Sequence, residues 1–225
     1  MESNISLLRK SSLFSGLERE DIQKLCACLA ATEKKMEKES FVFRAGDEVR
    51  FVYVILSGSM HIVDEDFWGN RSIVETMGPY TLFGEAYALA SAETHLVSVA
   101  AAENTVVLEI DPARLFEICP RGCPCHSKLI QNVACILSEK IVRLTQKLGH
   151  VTQRTIREKI LSYLSKCARQ AHSASFDIPY SRQQLADYLC VDRSALSHEL
   201  SRLSAQKIIG YRKNHFELLA VEERG

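Results

Sequence analysis

The sequence contains no window of 18 uncharged apolar residues, and only 10 glycines and 5 prolines occur among its 225 residues. Without a long apolar run, a transmembrane helix is not expected. The scarcity of glycine and proline excludes collagen-like and low-complexity classes. The first 19 residues lack the continuous apolar stretch of a secretory signal, so we expect a cytoplasmic protein with no membrane partner.

An excess of charge of one sign is also absent, because 28 Lys and Arg balance 28 Asp and Glu. Apolar residues make up 46% of the chain, which excludes a disordered protein. The balance hides an asymmetry, since residues 151–225 hold 12 Lys and Arg against 8 Asp and Glu. A basic C-terminal third is typical of a segment that binds a polyanion.

Motifs of phosphate-binding loops, serine hydrolases and zinc peptidases are missing, since the sequence holds no GxxxxGK[ST], GxSxG or HExxH. The alternative of a cupin-type enzyme would need a His-x-His pair plus Glu on barrel strands. The strand-rich region offers only His61 and His95, which are far apart. We therefore expect that the chain is not an enzyme.

Hydrophobic periodicity divides the chain into helical, strand-rich and again helical segments. Up to Ala31 the pattern indicates short helices. Residues 32–111 then alternate short β-branched and aromatic runs with turn signals. Many short strands at near-regular spacing predict a β-barrel or sandwich.

A long helix is predicted from Ser127 to Leu148, where no Gly or Pro interrupts the pattern. Its apolar residues recur in steps of three and four, which is typical of a coiled-coil seam with a second helix. Packing against the helix's own domain is the alternative. The residues of this seam are Ile130, Val133, Leu137, Ile141, Leu144 and Leu148.

The segment 151–225 carries the pattern of a winged helix-turn-helix. Ser181 and Gln184 form a capping box at the start of one helix, and Asp192 can cap the next. A hairpin predicted for Ile208 to Tyr211 and His215 to Leu219 would be the wing. A plain solvated helical hairpin is the alternative.

The second helix of this pair has an apolar stripe of Leu196, Leu200 and Leu203, whereas small polar side chains and arginines occupy its other face. Small side chains let a helix approach base edges in the major groove, and Ser, His and Arg can bind those edges. The residues expected to contact bases or phosphates are Ser181, Arg182, Gln183, Arg193, Ser194, Ser197, His198, Arg202 and Lys213.

Together these motifs resemble the Crp/Fnr superfamily of bacterial transcription regulators. The resemblance rests on Leu13-Phe14-Ser15-Gly16-Leu17, the run from Val52 to Gly58, Phe83-Gly84-Glu85, the long helix and the unit from Ser181 to Leu203. It implies an α+β chain with an N-terminal double-stranded β-roll (a jelly roll), a long dimerisation helix and a C-terminal winged helix-turn-helix. The corresponding domains are residues 1–126, 127–150 and 151–225.

The resemblance also implies a homodimeric, sequence-specific regulator that reads a near-palindromic site in double-stranded DNA. RNA polymerase is the expected further partner and activation the expected role, although the sign of regulation stays open. The β-roll would sense a small-molecule effector or a redox signal and shift the angle between the two recognition helices. His198 stands where family members often carry Arg, so a different base preference is expected there.

Members that bind cyclic nucleotides carry an Arg shortly after Phe-Gly-Glu, where it neutralises the cyclic phosphate. Here that stretch reads Thr94-His95-Leu96, and no Arg occurs between Arg71 and Arg114. Because a phosphate buried without a cation is costly, we expect no tight binding of cyclic AMP. The pocket is expected to take another ligand or to be filled by its own small side chains. Its candidate residues are Phe83, Gly84, Glu85, Tyr87 and His95.

Cysteine and histidine cluster ahead of the long helix, at Cys119, Cys123, Cys125 and His126. Buried structural thiols, a redox pair and a metal site are the three interpretations. The spacing is not a standard one for zinc, and zinc, an iron–sulfur cluster and haem stay open as cofactors. We expect Cys135 and Cys167 in the core, and Cys190 packed in the turn between the two DNA-binding helices.

Overall fold

The computed structural model describes residues 5–65, 68, 71–90, 97–116 and 124–219. The chain divides into two compact units, Met1–Leu137 and Ser138–Gly225. No helix within the described residues is both long and apolar enough to cross a membrane.

The first unit is a β-roll with short helices around it. Its helices are α1 (Ile5–Leu8), α2 (Arg19–Cys28), α3 (Glu85–Ala90), α4 (Pro112–Phe116) and the first half of α5 (Pro124–Val151), and a 3-10 turn spans Ser12–Phe14. Its strands are β1 (Thr32–Met36), β2 (Phe41–Phe43), β3 (Val52–Ser57), β4 (Met60–Glu65), β5 (Arg71–Met77), β6 (Leu82–Phe83), β7 (Ser98–Ala101) and β8 (Thr105–Ile110).

Two four-stranded antiparallel sheets make up the β-roll, with strand orders β1-β8-β3-β6 and β2-β7-β4-β5. In the first sheet Val54 pairs with Leu108, and in the second Ile62 pairs with Val99. The α+β fold class, with its β-roll, long helix and C-terminal helix-turn-helix, is thereby confirmed.

The sheet that contains strand β3 is covered by apolar side chains on both of its faces. Side chains of a strand alternate between faces. Val52, Val54 and Leu56 therefore join a cluster with α1, α2 and the start of α5. Tyr53 and Ile55 point the other way, into the space between the two sheets. A strand buried on both faces is continuously apolar rather than alternating, as this one is.

The second unit contains the rest of α5, three further helices and a small sheet. Its elements are α6 (Ile156–Ala171), β9 (Ser175–Asp177), α7 (Arg182–Leu189), α8 (Arg193–Ala205), β10 (Ile209–Arg212) and β11 (His215–Leu218). Thr155 caps α6 through a capping box with Glu158. The core packs apolar side chains of all three helices against Phe176, Ile209 and Phe216 of the sheet.

The wing predicted from sequence is present within one residue of its expected bounds, as the β10–β11 hairpin. The structure adds a third strand that the sequence pattern did not indicate. Strand β9 pairs with β11, placing Phe176 opposite Phe216. Only three residues long, and with one apolar side chain, β9 is too short for periodicity to reveal.

Candidate nucleic-acid interface

The helix pair α7–α8 begins with the capping box expected from its sequence. The Ser181 Oγ accepts a hydrogen bond from the Gln184 amide at 3.3 Å, and the Gln184 Oε1 accepts one from the Ser181 amide at 2.8 Å. Helix α7 ends at Leu189, and the next residue, Cys190, adopts a left-handed conformation with φ of 52°. The side chain of Cys190 is exposed, which corrects the expectation that it packs in the turn.

Helix α8 is fixed at its start by Asp192, as the sequence predicts. The Asp192 Oδ1 accepts hydrogen bonds from the amides of Ser194 at 2.8 Å and Ala195 at 2.9 Å. Hydrogen bonds from Ser194 and the backbone lower the pKa of the Asp192 carboxyl. Leu196 and Leu200 are completely buried beneath the helix, so its opposite face is presented outward.

Most of the polar face of α8 is exposed, at Arg193, Ser194, His198 and Arg202. The serine hydroxyls nevertheless donate within the helix. The Ser197 Oγ donates to the Arg193 carbonyl at 2.9 Å, and Ser194 donates to Asp192. Such hydroxyls remain acceptors for a base-edge donor, whereas the imidazole ring of His198 makes no hydrogen bond to any residue that the structure describes.

Glu199 is a buried charge in the apolar stripe that the sequence reasoning missed. It is 9% exposed and lies between two cations. Its Oε1 is 3.7 Å from the Arg157 Nη1 of α6, and its Oε2 is 3.5 Å from the Arg202 Nη1. One of the predicted DNA-contacting arginines, Arg202, is thus paired with an acid in the free chain. The only sequence signal was an acidic residue three positions after Leu196, on the buried side.

Arg182 connects the start of α7 to the wing. Its guanidinium carbon lies 5.0 Å from the centre of the Tyr211 ring and 5.7 Å from that of Phe216. The Arg182 Nη2 also donates to the Lys213 carbonyl at 3.4 Å. Burial lowers the pKa of this guanidinium. The structure therefore brings Arg182 and Lys213 together, while Gln183 remains exposed and donates to Asp187 at 2.8 Å.

The two halves of α5 have different surroundings. In the first half Val133 is 2% exposed within the core of the β-roll unit, and Leu137 packs against that core. Val133 thus belongs to the chain's own core, which differs from its predicted place in a seam. Ile130 is half-buried. In the second half the apolar side chains of Ile141, Leu144 and Leu148 are about 60% exposed.

The predicted effector residues lie at the junction of β6 and α3. Phe83 stacks on Tyr53 with ring centres 5.0 Å apart, and Tyr87 meets Phe43 edge-on at 6.3 Å. Burial and the charge of Glu109 raise the pKa of Tyr53 to about 12. The space between the two sheets next to the β6–α3 junction is therefore filled with contacting aromatic rings.

The backbone conformation at the β6–α3 junction requires a glycine at Gly84. Its φ is +80°, and a Cβ there would lie 3.0 Å from the Tyr53 ring and 3.2 Å from the Phe51 carbonyl. Glu85 follows at the start of α3 and is only 4% exposed. The structure therefore brings together four of the five predicted pocket residues. His95 lies outside the described residues.

Two members of the predicted cysteine cluster are described, and they contact different partners. The Cys125 thiol lies 3.5 Å from the Asp21 Oδ1, and burial together with this carboxylate raises the pKa of the thiol. The ring of His126 is buried, with its Nε2 3.0 Å from the Arg114 carbonyl oxygen. Cys119 and Cys123 lie outside the described residues.

Among the residues that the structure describes, no three His, Cys, Asp or Glu side chains converge as metal ligands would. Cys135 on α5 is exposed, which corrects its expected place in the core. Cys167 is half-buried and packs against the core of the second unit, as expected.

Comparison with known families agrees with this geometry in both parts of the chain. Residues 33–121 match the family of cyclic nucleotide-binding domains, and residues 158–223 match the Crp-like helix-turn-helix domain. The CRP-like protein Clp of Xanthomonas euvesicatoria pv. vesicatoria is 23% identical over 173 residues, which are 75% of either chain. The transcriptional activator protein Anr of Pseudomonas protegens is 25% identical over 181 residues, or 78% of this chain and 72% of Anr.

Solved structures with the same fold cover most of the chain. CLP of Xanthomonas campestris, described as a c-di-GMP responsive global regulator, superposes with a TM-score of 0.57 at 19% identity over 91% of this chain and 100% of its own. The catabolite activator protein of Thermus thermophilus gives a TM-score of 0.55 at 22% identity, over 92% of this chain and 93% of its own. At these identities the structural likeness establishes the fold alone.

Proposed function

The chain belongs to the Crp/Fnr superfamily of transcription regulators, and from this premise we propose that it acts as a homodimer that reads a near-palindromic DNA site under the control of a signal sensed in its β-roll. It is a DNA-binding transcription regulator, and its family and relatives are regulators rather than enzymes. The dimer, the signal and the contacting residues are the parts that need a test.

Helix α8 carries the proposal, because one of its sides is buried in the core and the other exposes polar side chains. Three leucines anchor one side of the helix in the core, and its exposed side carries Arg193, Ser194 and His198. A helix that enters the major groove needs short or flexible polar groups on its outer face and a rigid support behind it. Helix α8 meets both requirements. The wing supports it through the 3.4 Å contact between Ser201 and Tyr211.

We propose a homodimer because apolar side chains in the second half of α5 are exposed to solvent in the single chain. Ile141, Leu144 and Leu148 follow the three- and four-residue steps of a seam, and each is about 60% exposed. Burying a leucine or isoleucine side chain stabilises a protein by roughly 1.5–3 kcal/mol. If this helix pairs with the same helix of a second copy, the three side chains of each chain become buried. The dimer would then present its two α8 helices about 34 Å apart, the distance between successive major grooves.

For the signal, we propose a small molecule or a redox change rather than cyclic AMP. The β-roll segment holds no Arg between Arg71 and Arg114 that could neutralise a buried phosphate, and the interior near Phe83 is filled by Tyr53 and Tyr87. CLP of X. campestris, which shares this fold, is described as responsive to c-di-GMP, so an effector other than cyclic AMP has a precedent in the fold. Anr is described as a transcriptional activator, which favours activation and contact with RNA polymerase in the cytoplasm.

The DNA-binding part of the proposal is tested by fluorescence anisotropy with DNA duplexes from the region upstream of the gene that encodes the chain. We expect saturable binding of two chains per duplex. The logarithm of the affinity should fall steeply with the logarithm of salt concentration, because phosphate contacts from both copies release counterions. Equal affinity for this duplex and for unrelated DNA at every salt concentration would contradict sequence-specific reading.

The exclusion of cyclic AMP is tested by isothermal titration of the purified full chain. We expect no tight binding, since a buried phosphate without a fixed cation loses more in desolvation than it gains. A sub-micromolar dissociation constant for cyclic AMP would contradict this part of the proposal and leave the DNA-binding part unaffected.

A further inference from the structure

An open groove lies inside the second unit, between the last turns of α5 and the middle of α6. Its volume is about 520 Å³. Gln146, Gly149 and His150 line it from α5, and Ser162, Lys166 and Arg169 line it from α6. We call this cavity the α5–α6 groove. It lies outside both the β-roll and α8, to which the proposed function assigns the signal and the DNA.

The groove is positively charged. Lys166 and Arg169 are three positions apart on α6, so their side chains project from the same side of the helix. The lining contains no Asp or Glu. Neither cation lies within salt-bridge distance of a carboxylate in the part of the chain that the structure describes. Lys166 donates instead to the neutral side-chain carbonyl of Gln146. Lys166 is half-buried and Arg169 is exposed. A pair of neighbouring cations without a counterion favours an anionic ligand.

The polar groups around the two cations are held in place by contacts within the unit. The ring of His150 is 5% exposed, and its Nδ1 lies 2.8 Å from the Ser162 Oγ, which fixes the hydroxyl at the edge of the groove. Burial and the charge of Lys166 lower the pKa of His150. A fixed hydroxyl beside two cations is a typical arrangement for binding phosphate oxygens.

Gly149 leaves one wall of the groove without a side chain. It lies inside α5, where glycine is less favourable than any residue except proline. A Cβ added at Gly149 would meet no atom within 4 Å, so packing inside the protein does not require glycine here. The absence of a side chain at Gly149 leaves room for a ligand to approach the helix backbone at that point.

We propose that the α5–α6 groove binds a small phosphate-bearing anion, held by Lys166 and Arg169 with hydrogen bonds from Gln146 and Ser162. The ligand is bound without any covalent step. Because it contacts both helices at once, it stabilises their packing and acts as an effector of the DNA-binding unit independently of the β-roll. The backbone phosphates of DNA share this chemistry, and the experiment separates the two sources.

The probe is inorganic pyrophosphate, titrated into the full chain by calorimetry at low ionic strength. We expect one site per chain. Lys166→Gln and Arg169→Gln should each weaken the affinity by about tenfold or more, because each removes a charge-assisted hydrogen bond. Arg154→Gln is the matched control, since Arg154 is an exposed cation of the same unit that does not line the groove. Its affinity should stay within about twofold of the parent.

Gly149→Ala provides a second test that does not depend on removing a charge. The substitution should raise the thermal midpoint, because alanine favours the helix, and should weaken pyrophosphate binding, because the methyl group enters the groove. Unchanged affinity in Lys166→Gln, or equal losses in Arg154→Gln, would overturn the proposal. So would loss of pyrophosphate binding in Arg193→Gln, which would place the anion on α8. If Lys166→Gln lost DNA binding while the parent bound no pyrophosphate, the groove would be a DNA contact.

Discussion

The Arg182 side chain lies at the start of α7 and contacts the wing. The sequence predicts that it contacts phosphate at the start of α7, and its place in the chain still permits that. In the structure the guanidinium is also held over Tyr211 and donates to the Lys213 carbonyl, so it stabilises the wing. A role that depends on a ring 29 positions later in the chain cannot be inferred from local pattern.

Arg182→Ala should therefore have two effects. The free energy of unfolding of the second unit should fall by roughly 1–2 kcal/mol, from two partly exposed cation–π contacts and one hydrogen bond. DNA affinity should fall by the same factor on the operator and on random duplexes. Chemical denaturation and anisotropy measure the two effects. Arg154→Ala is the control, and a loss confined to the operator would show that Arg182 reads bases.

The exposed ring of His198 is available for base recognition, whereas the neighbouring Ser197 hydroxyl donates within the helix. His198→Ala should change the preference at one base pair of each half-site by about 1–3 kcal/mol. Ser197→Ala should change it less. Anisotropy with single-base-pair variants of the operator measures both, and equal profiles for the parent and His198→Ala would contradict a reading role.

We expect His150 to make the stability of the second unit depend on pH. Its ring is buried between Tyr163 and Tyr188 and faces Lys166, and its pKa lies below the usual 6.5. The unfolded chain therefore binds a proton more readily than the folded one, so stability should fall as pH drops below about 6.5. Denaturation at pH 7.5 and 5.5 should show this loss, and His150→Gln should reduce it. An identical loss in the variant would assign the pH dependence to other groups.

At the scale of elements, the sequence predicted those whose pattern is local and long. The capping box of α7, the cap at Asp192 and the long helix all depend on neighbours within a few residues, and each is present. Strand β9 was missed because its apolar content is a single Phe176. The burial of Val133 was missed because one helix face contacts different surroundings along its length, which periodicity alone does not distinguish.

The second half of helix α5 is the element that we expect to hold the two copies together. Leu144→Asp should break the dimer, because a carboxylate at the centre of the exposed seam would be buried without a partner. Sedimentation should show a monomer, and operator affinity should fall by at least about 100-fold, since one half-site then binds alone.

Ser138→Asp is the matched control for this substitution. It adds the same charge to the same helix at an exposed position about 120° around the axis from Leu144. The control should remain dimeric and should keep its operator affinity. A Leu144→Asp variant that sediments as a dimer would show that the second half of α5 is not the interface.

At the scale of the whole molecule, the division into a β-roll unit and a helix-turn-helix unit follows from composition and pattern together. Residues 32–111 are strand-rich, and the basic segment after residue 150 is helical with a wing. The ligand of each unit does not follow from these patterns. The groove between α5 and α6 combines residues from two helices that the sequence assigned to different domains, so only the structure could reveal it.

The central claim is that two copies of this chain present two α8 helices to one duplex. Sedimentation of the chain with a fluorescent duplex that carries a near-palindromic site, selected from random DNA by binding to the chain, measures this directly. The account predicts a complex of two chains per duplex, formed by the parent chain and not by Leu144→Asp at the same concentration. A complex of one chain per duplex, with affinity that is unchanged by Leu144→Asp, would contradict it.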